Sequence, residues 1–174
     1  MESDSVSSRM TITGFDIRCC RYSESGLSGH SMRDGMSRDG LEFLVYTVTT
    51  ADGQSASMFG FAGRSAIGAG HTVDASMGSF LIGRNALDRE AIWHDWRTAD
   101  RWWHHLPIWA FGPIDCCLWM LGAQEAEQPL WRYIGGARES LPVYASSLVL
   151  ADADAYGKEA QAVRDAGLKA YKIH

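Results

Sequence analysis

Near its end the sequence reads Lys172-Ile173-His174, a lysine and a histidine two positions apart. On a β-strand that spacing puts both side chains on one face. A histidine exchanges protons near neutral pH, and a lysine adds a cation that can hold a carboxylate or shift a neighbour's protonation. Such a pair could serve as a base beside an anion-binding group. From the sequence alone, a solvated pair at a chain terminus with no role is the simpler reading. A second set is cationic and aromatic: Arg33, with His30 and Arg38 in Glu24–Arg38, and Phe61 and Arg64 in the stretch FGFAGR. A guanidinium fork binds two oxygens at once, which suits hydroxyls or a carboxylate, although isolated arginines are commonly just solvated.

Other patterns carry less. Gly68-Ala69-Gly70 precedes a possible helix, but Val73 stands where a dinucleotide-binding loop needs its third glycine. Asp100–His105 (DRWWHH) sets two histidines side by side. Adjacent side chains at a helix end diverge, so the stretch reads as a packing seam or subunit contact rather than a metal site. The four cysteines form two adjacent pairs, Cys19-Cys20 and Cys116-Cys117, without the spacing of zinc ligands. Reduced thiols in a cytoplasmic protein are the expectation. Most of the seven tryptophans fall on helical stripes, which points to core rather than a carbohydrate platform.

The scaffold holding these residues begins after a polar, acidic start, residues 1–10, expected to be a disordered tail and unlike a signal peptide. Thr11–Arg18 alternates as a strand, and residues 22–40, rich in Gly and Ser, form a long loop. Leu41–Thr50 (LEFLVYTVTT) is dense in β-branched and aromatic residues. Asp52-Gly53 then suits a tight hairpin with positive φ, returning through Gln54–Phe61, with Gly60–Arg64 as a loop. Helices are expected over Ser65–Met77, weakened by Gly68 and Gly70, and from Asp88 with Ile92, Trp96, Ala99 and Trp103 as its buried stripe. A third runs from about Ala110 towards Glu127, followed by a Pro129 turn and Gly135-Gly136. Strands followed by helices make an α+β domain. From Leu141 the pattern becomes strand (Val143–Leu150), helix (Asp152–Ala166) and strand (Lys169–His174), one parallel βαβ unit. The net charge of −5 disfavours a nucleic-acid or acidic-membrane partner, and no apolar run is long enough to span a bilayer.

The helix Ile114-Asp115-Cys116-Cys117-Leu118-Trp119, then Gly122, Gln128-Pro129-Leu130 and Gly135-Gly136, resembles the end of the capping domain in mandelate racemase-like and muconate lactonizing enzyme-like members of the enolase superfamily. The terminal Lys-x-His sits where that family carries Lys-x-Lys or a close variant. Met120 and Ala123 depart from the family pattern. The resemblance implies a capping domain over residues 11–138, followed at 141–174 by the first βαβ unit of a truncated TIM-type barrel. It further implies removal of a proton α to a carboxylate, with His174 as base and Lys172 as the carboxylate-binding cation. Arg33, Phe61 and Arg64 would select a sugar-acid or hydroxy-acid substrate. Magnesium belongs to the complete family fold, with ligands on later strands; none is expected for this chain alone. The implied activity is that of a magnesium-dependent dehydratase or racemase, homo-oligomeric when complete and inactive as given. The alternative is a non-catalytic capping module that assembles with a full-length relative.

Overall fold

The computed structural model describes residues 8–21, 42–63, 66–99, 101, 106 and 110–174, without the side chains of residues 61–63. The loop expected over residues 22–40 and the DRWWHH stretch other than Arg101 lie outside these. The chain divides into one unit of residues 1–22 and 41–136 and a second whose described part is 137–174.

In the first unit the central strand is β2 (Glu42–Thr50), where Glu42, Leu44, Tyr46, Val48 and Thr50 are buried and the residues between them are half-exposed. That is the period of two that a sheet with one covered face requires. β2 pairs antiparallel with β1 (Ile12–Arg21) and β3 (Ser55–Gly63), in the order β1-β2-β3. The hairpin differs from the expected Asp52-Gly53 turn. Thr50 N donates to Gln54 O at 2.9 Å, and only Gly53 takes a left-handed φ, +86°. Three residues therefore make the loop. Asp52 instead accepts from Thr50 Oγ1 at 2.6 Å, pinning the turn.

Helix α1 spans Ala66–Leu81, longer than expected, and buries Ala66, Gly70, Val73, Met77 and Leu81. Gly70 belongs there for space: a Cβ would meet Leu44 Cδ2 at 3.1 Å, so the missing side chain lets α1 lie close to β2. Helix α2 (Arg89–Ala99) buries Ile92 and Trp96. Helix α3 (Gly112–Glu125) has a proline in its first turn and buries Ile114, Cys117, Leu118 and Leu121. The single turn α4 (Leu130–Tyr133) follows. Trp96 stacks on Phe111 with ring centroids 4.9 Å apart, and both join one core with Tyr46, Leu44 and Met77. Met10, placed in the tail by the sequence reading, is instead fully buried, and its carbonyl accepts from Ala86 N at 2.9 Å. An apolar side chain beside an open core site gains more from burial than from solvent.

The second unit holds β4 (Ala145–Ser146), α5 (Ala153–Asp165) and β5 (Tyr171–Lys172), with β4 parallel to β5. The expected helix forms, and Asp152 caps it by accepting from Ala155 N at 2.8 Å. The strands are much shorter than Val143–Leu150 and Lys169–His174. A parallel pair is stable when both faces are covered. Here no apolar side chain of residues 137–174 is buried, and Leu141 and Val143 are each 65% exposed.

Candidate active site

Lys172 lies on β5, directly opposite Ser146 of β4 in the parallel register. Paired residues share a face, so Ser146 and Lys172 point the same way. His174 joins them, with its Nε2 2.9 Å from Ser146 Oγ. Tyr171 points to the other side, donating from its hydroxyl to Glu159 Oε2 on α5 at 2.7 Å. Burial, followed by the Glu159 carboxylate, pushes that hydroxyl above its ordinary range. The main chain of His174 is held at both ends. Its N donates to Ser147 Oγ at 3.1 Å, and its carbonyl accepts from Tyr156 Oη at 2.7 Å. Tyr156 Oη also accepts from Leu150 N at 2.9 Å. The structure thus brings Lys172 and His174 to one face and adds Ser146, Ser147 and Tyr156, which the sequence reading did not single out. Their roles depend on the parallel register, which leaves no periodic signal.

Arg33 and Arg64 lie outside the described residues, as does the side chain of Phe61. The strand ends flanking the two candidate loops are described. Arg21, Glu42 and Gly63 stand side by side across β1, β2 and β3. Glu42 links β1 to the first turn of α1: its Oε1 is 3.1 Å from Arg21 Nη2, and its Oε2 accepts from Ile67 N at 3.4 Å. The Arg21 hydrogen bond holds this carboxyl below the usual glutamate range, with burial opposing it. Residues 60–63, expected as a loop, continue β3 instead. One extra residue there, around Gly60-Phe61, opposes Leu44, since Phe43 pairs with Ala62 but Val45 with Phe59. Such a bulge bends a strand and re-aims its side chains.

A separate cleft of about 350 Å³ on the first unit is lined by Arg89, Glu90, Trp93, Phe111 and Asp115, among others. The Arg89 guanidinium lies 3.9 Å above the Trp119 ring. Burial holds the Asp115 carboxyl above the usual aspartate range, against the pull of Arg89.

Among the described residues no three His, Cys, Asp or Glu side chains are grouped so as to hold a metal ion. Magnesium is bound by oxygen donors, chiefly carboxylates and water. The described residues therefore do not fit it.

No family model matches the sequence. Over 119 residues, 63% of the chain, it is 31% identical to the 3,6-anhydro-alpha-L-galactonate cycloisomerase of Streptomyces coelicolor, of which it covers 32%. Among solved structures, D-glucarate dehydratase from Agrobacterium tumefaciens, complexed with magnesium, is 29% identical with a TM-score of 0.75, covering 96% of this chain and 45% of that one. A racemase from Streptomyces coelicolor with bound magnesium superimposes with a TM-score of 0.78 at 21% identity, over 93% of this chain and 46% of that one. The chain spans less than half the length of each of these relatives. It has the enolase-superfamily fold of the mandelate racemase-like type: the capping domain, followed by the first strands of the barrel. Among the described residues no helix is long and apolar enough to cross a membrane.

Proposed function

We propose that this chain contributes the capping domain and the proton-abstracting residues of an acid-sugar dehydratase or a related racemase. His174 is the base, Lys172 the carboxylate-binding cation, and Arg33, Phe61 and Arg64 the substrate-selecting side chains. The observation that most supports this is the common face of Lys172, Ser146 and His174 in a parallel strand pair. In barrel enzymes active sites lie at the C-terminal ends of such strands. A proton α to a carboxylate is weakly acidic, so the enediolate left behind needs positive charge close by. The Lys172 ammonium would bind the substrate carboxylate. The His174 imidazole would take the α-proton and become imidazolium, while the C–H electron pair moves into the carboxylate.

The chain covers less than half of each of these relatives, and we propose that it is inactive alone. With Mg²⁺ and a panel of sugar acids in D₂O, the isolated chain should show neither turnover nor α-proton exchange. A fusion of residues 1–174 to the remaining barrel of the Agrobacterium dehydratase should exchange the α-proton and lose that exchange on His174→Ala or Lys172→Ala. Exchange indifferent to both substitutions, or none from a folded fusion, would overturn the assignment. Exchange by the isolated chain would overturn the inactivity. One observation favours the second reading, a non-catalytic module: Leu141, Val143, Tyr144 and Ile173 are exposed, as a surface awaiting another polypeptide would be. Co-sedimentation with a full-length relative, without any gain in exchange, would support it.

A further inference from the structure

We propose that Ser146 is the positioning residue of the His174 imidazole: its hydroxyl oxygen accepts the Nε2–H, leaving Nδ1 as the atom that takes the proton. The inference rests on the reading of His174 as the base. Ser146 Oγ lies 2.9 Å from His174 Nε2, and its strand position opposite Lys172 keeps it on the face both candidate groups share. The ring hangs from a main chain fixed on either side, by Ser147 Oγ at the nitrogen and by Tyr156 Oη at the carbonyl. With the backbone clamped and one ring nitrogen engaged, the imidazole has a defined direction. Among the described residues no hydrogen bond engages Nδ1.

The direction of the Ser146 bond follows from what protonation does to a histidine. An imidazolium donates from both nitrogens, so a serine beside Nε2 must then accept. If the neutral ring already carries its hydrogen on Nε2, proton uptake at Nδ1 leaves the bond unchanged. If the serine donated to Nε2 instead, the hydroxyl would have to rotate and the bond reverse during proton transfer. The bond made at one ring nitrogen sets the tautomer and thereby the chemistry available at the other.

The test reads the ring directly. In the uniformly ¹⁵N-labelled full chain, at a pH where imidazoles are neutral, long-range proton–nitrogen correlation spectra distinguish the two tautomers of each of the six histidines. His174 is assigned as the set of signals missing from His174→Gln. The expected pattern for His174 is the Nε2–H tautomer without averaging. Ser146→Ala should average it towards the mixture of a free histidine, and Ser146→Thr, which keeps a hydroxyl, should restore it. An Nδ1–H pattern in the unaltered chain, or an unchanged pattern in Ser146→Ala, would overturn the proposal. If Ser146→Ala disturbs the fold, the Ser146→Thr spectrum decides: it should match the unaltered chain, and a mixed pattern in a folded Thr variant refutes the idea. No turnover enters the readout, so this inference can fail while the proton-exchange assignment stands, and the reverse.

Discussion

The packing of the capping unit is tested most sharply by adding one carbon at Gly60. A Cβ at that position would fall 2.5 Å from Tyr46 Cε2 and 2.7 Å from Pro113 Cγ, more than half an ångström inside any ordinary contact. Gly60 does not occupy the left-handed region, so the conflict is one of space alone. Neither neighbour yields easily. Tyr46 is fully buried in the middle strand, and Pro113 is a rigid ring in the first turn of α3. Relief requires β3 and α3 to move apart, and overpacking of this kind costs about 1–3 kcal/mol. With a urea dependence of about 2 kcal/mol per molar, Gly60→Ala should lower the unfolding midpoint by roughly 1 M. Tryptophan fluorescence isolates the response, because all seven tryptophans, from Trp93 to Trp131, precede residue 137. Gly68→Ala is the control of opposite sign. Nothing lies within 4 Å of a Cβ there. The position is exposed in the first turn of α1, where alanine gains up to about 1 kcal/mol and should raise the midpoint by at most roughly 0.5 M. An unchanged midpoint for Gly60→Ala would refute the close seam between sheet and helix. So would equal shifts for the two substitutions.

Two further expectations concern charge and capping. Because burial raises the Asp115 carboxyl, the stability linked to its proton is full below the ordinary aspartate pKa and is lost as pH rises through the higher folded value. Asp115→Asn should therefore stabilise the capping unit at neutral pH, with the gain vanishing in acid; a gain independent of pH in fluorescence-monitored urea melts would contradict this. Asp152→Ala removes the cap on Ala155 N and should cost α5 about 1 kcal/mol, seen as faster amide exchange in its first turn. Unaltered exchange there would mean that the cap bond contributes nothing in solution.

Much of the fold is legible in the residues because burial writes a period into the sequence. The alternation in β2 and the Ile92–Trp96 spacing in α2 each report one covered face. Gly70 misleads, since a propensity argument sees a weak helix former where the structure uses the missing side chain to seat α1 against Leu44. The extra residue around Gly60-Phe61 is likewise silent, because a bulge is a property of two strands and not of one. Ser146 leaves the least trace in the sequence. Which residue of VYASSLVL faces Lys172 depends on a parallel pairing across an intervening helix, and neither strand is amphipathic enough to announce it. The paired positions of Lys172 and His174 were readable from their spacing alone.

The alignment of Arg21, Glu42 and Gly63 at one rim of the sheet has an evolutionary corollary. Sequence inserted between Arg21 and Glu42 leaves and re-enters the domain at neighbouring points, held by a buried carboxylate at the start of the central strand. Lengthening such an excursion is thermodynamically cheap, about 0.6 kcal/mol for each doubling. At this rim a connection can change length without rebuilding the interior.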